Sequence, residues 1–349
     1  MNGSLVVGVD VGGTKAAALV VDEAGATRGR AVQPMAGRSA TGIEPIVAAI
    51  RAALEATDAA DGDLGAIGVG VPGRIDSAAG IVSLATNLGW HDLPLADLIR
   101  DEFGVPCGVA NDVGLAASGL IGHEIARGAR SLAYVAVGTG IGAGLVLDGR
   151  LHQGDRGLAG EIGHAIAEPD GLVCRCGQRG CVETVASGPF IARRAAAALA
   201  LALAAGTPVS DHPLLSAEAT ITARTVYEAA AAGDSIALAV ADEAGRTLAH
   251  AIEALMLTCD LELVLLGGGV AAAGPTFFEP VAAELDRARS ASALVALMIP
   301  PGSVRVLPAQ FDAVAWGGVA LARSLIRSEP HNPQNRDTKE EVVARASLA

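Results

Sequence analysis

Four residues in the middle of the chain have the types and spacing of a metal site. His164, Cys174, Cys176 and Cys181 follow the pattern H-x9-C-x-C-x4-C. Zinc in structural sites takes four tetrahedral ligands, and three thiolates with one imidazole are a standard set. The spacing therefore predicts a zinc ion that braces a loop and does not activate water. Buried or free thiols are the alternative interpretation.

Two carboxylates flank these four residues. Glu161 lies three residues before His164, and Glu183 lies two residues after Cys181. A loop held by zinc restricts both side chains, and carboxylates accept hydrogen bonds well from sugar hydroxyls. The pair is interpreted as a sugar-binding pair, and a solvated surface pair is the alternative.

A glycine turn near the N-terminus has the residues of a phosphate site. The turn contains Gly12 and Gly13, with Asp10 before it and Thr14 and Lys15 after it. Backbone N–H groups and the Thr14 hydroxyl can face phosphate oxygens, and Asp10 can hold magnesium directly or through water. The P-loop spacing is absent, and a strand is expected after the turn where a P-loop needs a helix. A glycine hairpin without a ligand is the alternative.

Two further glycine turns follow later in the chain. The turn at 138–143, with Thr139 and Gly140, matches a dinucleotide fingerprint by letter, but strand-like residues follow it where that motif needs a helix. It is interpreted as a second phosphate hairpin that faces the first. Gly267 and Gly268, between a strand and a helix, are expected to let a nucleotide base or ribose approach the backbone.

Asn111 and Asp112 stand at the end of a β-rich run. A sugar hydroxyl is a poor nucleophile, and a carboxylate that accepts its proton assists phosphoryl transfer. Asp112 is therefore the candidate base. The alternative is an Asn-Asp turn in which Asp112 caps the following helix.

The elements that position these residues repeat along the chain. Strand, glycine turn and strand occur at Leu5–Asp10 and Ala16–Val21, and again at Tyr134–Val137 and Gly144–Leu147. Two halves that begin alike predict a duplicated α/β architecture with a cleft between domains. An apolar run at 195–205 is expected to form a buried helix, and a helix is expected at Ala313–Arg327.

Composition excludes several classes of protein. The chain has 349 residues, 51% of them hydrophobic, and a net charge of −13. This charge argues against nucleic-acid binding, which needs a concentrated basic face. No window resembles a membrane span or a signal peptide. The clustered cysteines indicate a reducing cytosol, so a cytoplasmic protein without a membrane partner is expected.

Together the motifs resemble the ROK family of sugar kinases, in the actin-like ATPase superfamily, and the layout is most similar to the bacterial glucokinases of that family. The resemblance covers residues 5 to about 325. The matching motifs are DVGGTK at 10–15, GVGVPG at 68–73, TNLGW at 86–90, ND at 111–112, GTGIGAG at 138–144, GEIGH at 160–164, CRCGQRGCVE at 174–183 and LGGGV at 266–270.

The resemblance implies a role for each matching residue. Asp112 matches the catalytic base, and Asn111, Glu161, His164 and Glu183 match sugar ligands, with Gly73 and Asn87 close by. His164 matches a residue that both binds zinc and touches the sugar. The residues that match the ATP and magnesium side are Asp10, Gly13, Thr14, Thr139 and Gly268.

The resemblance also implies an actin-like ATPase (ribonuclease H-like) duplicated fold. The expected small domain is residues 1–114 with about 312–328, the large domain is 115–311, and 329–349 form a polar tail with a short helix near Glu340–Arg345. A homodimer or homotetramer is implied. The sequence departs from the family at Val113-Gly114-Leu115 and at Phe311-Asp312-Ala313-Val314-Ala315.

The implied activity is ATP-dependent phosphorylation of a hexose at its 6-hydroxyl, with glucose as the first choice. A ROK kinase for N-acetylmannosamine, N-acetylglucosamine, mannose or fructose is the alternative. A sugar-sensing regulator is disfavoured, because only nine residues precede Asp10 and the charge is acidic.

Overall fold

The structure describes most of the chain. The computed structural model describes residues 5–35, 42–57, 63–126, 128–205, 214 and 220–327. The tail at 329–349 and the short helix expected near Glu340–Arg345 lie outside these described residues.

The described strands and helices follow one another in mixed α/β order. The strands are β1 (Leu5–Val11), β2 (Lys15–Asp22), β3 (Thr27–Pro34), β4 (Leu64–Val71), β5 (Arg74–Asp76), β6 (Ile81–Ala85), β7 (Trp90–Leu93), β8 (Cys107–Asn111), β9 (Leu132–Val137), β10 (Ile141–Leu147), β11 (Arg150–His152), β12 (Leu263–Gly267) and β13 (Val304–Val306). The α-helices are α1 (Glu44–Glu55), α2 (Leu95–Phe103), α3 (Asp112–Ile121), α4 (Glu183–Ala186), α5 (Gly188–Ala204), α6 (Ala223–Ala231), α7 (Ser235–Cys259), α8 (Pro275–Ala291), α9 (Ala293–Met298) and α10 (Ala313–Arg327).

Two five-stranded sheets have the same topology. The first has the order β3-β2-β1-β4-β8 and the second has the order β11-β10-β9-β12-β13. In both sheets the first two pairs are antiparallel and the last two are parallel. The predicted duplicated actin-like α/β fold is confirmed. A small sheet of β5, β6 and β7 was not predicted.

The parallel strands bring the candidate residues to one edge of each sheet. In the first sheet Asp10 pairs with Gly70, and Val71 pairs with Asn111. In the second sheet Gly267 pairs with Ala136, close to the turn that joins β9 to β10. Because parallel strands end at a common edge, loops distant in sequence meet there.

Helices α3 and α10 cross where both carry glycine. A Cβ on Gly119 would lie 2.5 Å from the Cα of Gly317, and a Cβ on Gly317 would collide with the carbonyl of Leu115. Such contacts require glycine, because any side chain would separate the two backbones.

The two crossing helices pack on different sheets. A Cβ on Gly8 of β1 would collide with the carbonyl of Ala315 in α10, and a Cβ on Gly144 of β10 would collide with the carbonyl of Val113 in α3. The C-terminal helix therefore returns to the N-terminal sheet. The boundaries at 1–114 with 312–328 and at 115–311 stay a prediction.

Helix α5 corrects one expectation. Its buried residues are Ile191, Ala195 and Leu199, whereas Leu201 is 72% exposed. The expectation of a buried helix at 195–205 is therefore wrong, because only one face of α5 packs inward. None of the described helices has the length and apolar character that crossing a bilayer requires.

Candidate active site

Asp112 begins helix α3 with its carboxylate held in place. Its Oδ1 atom accepts hydrogen bonds from the Val113 backbone N–H at 2.9 Å and from the Asn111 side-chain amide at 3.1 Å. Among the described residues, none other than Asp112 itself lies in position to donate a hydrogen bond to the second oxygen, Oδ2. The helix cap is Asn111 and not Asp112, since Asn111 Oδ1 accepts from the Gly114 N–H at 3.0 Å. The alternative, in which Asp112 caps α3, is therefore wrong.

The electrostatic surroundings of Asp112 favour a proton acceptor. Burial raises the pKa of its carboxyl above the ordinary value, and the charge of Glu161 raises that pKa further. Hydrogen bonds from Val113 and Asn111 oppose the rise. A carboxylate with a raised pKa is a stronger base than an ordinary aspartate.

Asn111 also joins the loop after β4 to the start of α3. Its side-chain amide donates to the Gly73 carbonyl at 3.2 Å. Gly73 has a φ of 113°, and a Cβ there would collide with the carbonyl of Leu84. The predicted sugar-site residues Gly73, Asn111 and Asp112 therefore lie together.

The first glycine turn lies beside the loop between β6 and β7. The Gly12 N–H donates to the Lys15 carbonyl at 2.8 Å, and Gly13, Thr14 and Lys15 are exposed. A Cβ on Gly13 would lie 3.8 Å from the Cβ of Asn87. Asn87, predicted close to the sugar, therefore lies beside the first glycine turn.

Asp10 precedes this turn, and the charges of two other aspartates act on its carboxyl group. Burial raises its pKa to about 8, with Asp312 and Asp112 raising it and Lys15 lowering it. A cation bound beside such a carboxylate would favour its ionised form and offset the rise in its pKa. Asp10 therefore suits a divalent cation.

Asp312 was missed as a site residue. It immediately precedes α10, and its Oδ1 accepts a hydrogen bond from the Ala315 N–H at 3.0 Å. In the sequence, 311–315 departs from the family pattern, and the one local signal is that an aspartate before an apolar helix is a common cap. Its approach to Asp10 depends on the return of α10 to the first sheet, which no local pattern reveals.

Tyr134 was also missed. It is buried in β9, and burial raises its pKa far above the ordinary value, with Asp10, Asp312 and Asp112 adding to the rise. A Cβ on Gly267 would lie 2.7 Å from the Tyr134 hydroxyl oxygen. The ring therefore fills the space beneath the third glycine turn, which explains the glycine at 267.

The second glycine turn lies under Glu183. Thr139 is exposed, and the Ile141 N–H donates to Glu183 Oε2 at 3.1 Å. Glu183 is only 8% exposed. The predicted partner Glu161, by contrast, is exposed, so the two glutamates have different surroundings.

The third glycine turn borders a cavity. Gly268 has a φ of 93°, and a Cβ there would lie 2.5 Å from the Val137 carbonyl oxygen. A cavity of about 300 Å³ adjoins the turn. Its lining includes Gly269, Val270, Ala273, Arg224 and Tyr227. This cavity is partly open to solvent, has a lining of mixed polarity and lies next to an exposed backbone.

The four predicted metal ligands come together. One ligand atom each from His164, Cys174, Cys176 and Cys181 lies within 4.8 Å of all the others. The Cys176 and Cys181 sulfurs are 3.7 Å apart, and Cys174 Sγ is 3.6 Å from His164 Nδ1. A tetrahedron with Zn–S bonds of about 2.3 Å has S···S edges of about 3.8 Å. The geometry and donor types fit zinc.

His164 faces two ways. Its Nδ1 is directed at Cys174, while its Nε2 is 3.7 Å from Glu161 Oε2. One ring nitrogen is thus available to a metal and the other lies beside the predicted sugar-binding carboxylate. The charge of Glu161 in turn raises the pKa of Asp112. The Cys/His cluster and the candidate base therefore lie beside one site.

The duplicated sheets, with glycine turns after β1, β9 and β12, define the actin-like ATPase fold. Within this fold the charge of Asp112 raises the pKa of Asp10. A family model described as the ROK family matches residues 6–322. The chain belongs to the ROK family, as predicted.

Relatives with named activities resemble most of the chain. It is 35% identical over 281 residues to a glucokinase from Halalkalibacterium halodurans, covering 79% of this chain and 83% of that protein. It is 34% identical over 266 residues to an N-acetylmannosamine kinase from Yersinia pseudotuberculosis, covering 75% and 82%. The crystal structure of a ROK family glucokinase from Streptomyces griseus, in complex with glucose and AMPPNP, matches with a TM-score of 0.75 and 31% identity and covers 92% of this chain and 99% of that one.

Proposed function

We propose that the protein is an ATP-dependent hexose kinase that transfers the γ-phosphoryl group of ATP to the 6-hydroxyl of glucose. The observation that carries the proposal is Asp112, whose Oδ1 is held by two donors while its Oδ2 receives no hydrogen bond from another described residue. The glucokinases among the relatives support glucose as the substrate.

In this mechanism Asp112 acts as the general base. Oδ2 accepts the proton of the 6-hydroxyl as that oxygen attacks the γ-phosphorus and the bond to the ADP oxygen breaks. Asn111 and the Val113 N–H keep the carboxylate in a fixed orientation. General-base assistance of this kind contributes about 10²- to 10⁴-fold to the rate.

The nucleotide side is assigned to the three glycine turns. Magnesium ATP supplies the transferred group and neutralises its charge. The backbone of Gly12 and Gly13 with Thr14 and Lys15 faces the phosphates on one side, and Thr139 with Gly140 faces them on the other. Gly267 and Gly268 are assigned to the base and ribose, because the cavity of about 300 Å³ begins at the next residue, Gly269. Asp10 suits the magnesium, directly or through water.

The sugar side is assigned to residues around Asp112. Glu161, His164, Glu183 and Asn111 are proposed as ligands, with Gly73 and Asn87 beside them. Zinc on His164, Cys174, Cys176 and Cys181 would hold this loop, and the ligand spacing supports it. A homodimer or homotetramer is also proposed, and light scattering would measure it.

N-acetylmannosamine is the second candidate substrate. A kinase for this sugar is 34% identical to the chain, nearly as similar as the glucokinase. Both sugars present a 6-hydroxyl, so the same base would serve either.

An ADP-release assay over a panel of hexoses and N-acetylhexosamines tests the proposal. Glucose is expected to give the highest kcat/KM, and Asp112→Asn is expected to abolish turnover while glucose binding stays measurable by calorimetry. Retained turnover in Asp112→Asn would refute the assignment of Asp112 as the general base. A preference for N-acetylmannosamine would establish the second candidate.

A further inference from the structure

The segment 183–188 holds both ends of the second glycine turn. Glu183 Oε2 accepts a hydrogen bond from the Ile141 N–H at 3.1 Å, on the β10 side of the turn. The Gly188 N–H donates to the Gly138 carbonyl at 2.8 Å, on the β9 side. Thr139, the proposed phosphate ligand, lies between these two attachments.

The Glu183 carboxylate also lies directly over Gly140. A Cβ on Gly140 would be 2.7 Å from Glu183 Oε2. The carboxylate and the turn therefore pack without room for a side chain between them. Gly140 is explained by this contact, since its φ is not in the left-handed region.

The start of this segment is anchored to the loop at 164–181, which carries the four predicted metal ligands and is called the metal-binding loop below. The Val182 N–H donates to the Ala165 carbonyl at 2.9 Å, and the buried Thr184 donates its hydroxyl to the Cys181 carbonyl at 2.7 Å. Arg194 Nε donates to the Thr184 carbonyl at 3.1 Å. Movement of Glu183 therefore requires movement of the loop as well.

Arg194 makes this anchorage rigid. It forms ion pairs with Glu168 of the metal-binding loop at 2.5 Å and with Glu243 of α7 at 3.0 Å. Its side chain is only 16% exposed. Ion pairs shielded in this way are screened by salt less than surface pairs are.

We infer that Glu183 is a positioning residue for the nucleotide, which orients the second phosphate turn through Ile141 and Gly140. This role is additional to its proposed contact with the sugar, and it rests on the proposed kinase function. It joins the metal-braced sugar loop to the phosphate-binding backbone through one buried carboxylate. Sugar binding and phosphate geometry are thereby coupled.

Binding of a non-hydrolysable ATP analogue with magnesium to the sugar-free protein tests the inference by calorimetry. Glu183→Ala is expected to weaken the analogue about tenfold or more, which corresponds to a lost hydrogen bond on a charged acceptor. Glu183→Gln keeps an oxygen that can accept from Ile141 and is expected to restore binding to within about threefold of the wild type.

Glu161→Ala is the matched control, because Glu161 is exposed and no hydrogen bond joins it to a glycine turn among the described residues. It is expected to bind the analogue as the wild type does while glucose affinity falls. If Glu183→Ala binds the analogue normally and loses only glucose affinity, the inference is overturned. A wild-type protein that binds no ATP analogue refutes the proposed function instead, together with the inference that rests on it.

Gly140→Ala is a second test variant, and its result does not depend on whether Glu183→Ala folds. Its Cβ displaces the carboxylate, so weaker analogue binding is expected. The double variant Gly140→Ala with Glu183→Ala is expected to bind no more weakly than Glu183→Ala alone, because the clash partner is gone. Fully additive losses, or normal binding by Gly140→Ala, would contradict the positioning role.

Discussion

The side-chain amide of Asn111 donates to Oδ1 of Asp112 at 3.1 Å while its own oxygen caps the helix that Asp112 begins. One residue thus stabilises α3 and orients the candidate base. The two functions use different atoms, Oδ1 for the cap and Nδ2 for the base. Substitutions at Asn111 can therefore separate stability from catalysis.

Asn111→Asp and Asn111→Ala are expected to differ in this way. Asn111→Ala removes both interactions and should lower the free energy of unfolding by about 1 kcal/mol, with a loss of kcat. Asn111→Asp keeps a capping oxygen and should retain most of the stability. It places a negative charge beside Asp112 and removes its donor, so kcat should fall at least about tenfold. Urea unfolding and ADP release measure the two effects, and equal stability losses in both variants would refute the assignment of the cap.

The pH dependence of kcat/KM for glucose should show the raised pKa of Asp112. The base acts as a carboxylate, so activity falls as pH drops through that pKa, and the acid limb should lie above the range of an ordinary aspartate. Because the charge of Glu161 raises the pKa of Asp112, Glu161→Gln should move the limb to lower pH.

The exposed Asp148→Asn is the control for this shift. Asp148 pairs with Arg130 at the surface, and both side chains are largely exposed. Its substitution should leave the acid limb in place. A limb that moves to higher pH in Glu161→Gln would contradict the predicted electrostatic coupling.

Metal analysis should find about one zinc per chain, and Cys176→Ala should lose it together with thermal stability. Structural zinc stabilises the loop that it binds, so removal should also weaken glucose binding. Cys259→Ala, at the end of α7 and outside the cluster, is the matched control and should retain the metal. A folded, active and metal-free wild-type protein would be the contrary result.

Gly317→Ala should destabilise the crossing of α3 and α10. Its Cβ would collide with the Leu115 carbonyl, and overpacking of this kind costs about 1–3 kcal/mol. Gly122→Ala is the control, because its φ is −91° and its Cβ would meet no atom closer than 3.9 Å. Urea unfolding should show a loss for Gly317→Ala and a change within about 0.5 kcal/mol for Gly122→Ala. Equal midpoints for the two variants would contradict the close crossing.

Local patterns predicted much of the fold. Glycine turns between apolar runs located β1 with β2 and β9 with β10, and α10 has the predicted bounds. Strand β3 and the small sheet were missed, because β3 alternates exposed and partly buried residues with no continuous apolar run. Its pairing with β2 supplies the order that its sequence lacks.

The sequence by itself determined the family, the three turns and the four-residue Cys/His cluster, because turn conformation and residue spacing depend on residues close together in the chain. Only the tertiary structure decided that the charge of Asp312 raises the pKa of Asp10 and that Asn111, not Asp112, caps α3. It also decided that Glu183 faces the Ile141 N–H, 42 residues away. Glu161 and Glu183 look alike in the sequence, yet burial against a glycine turn distinguishes them, and burial is a property of the packed chain.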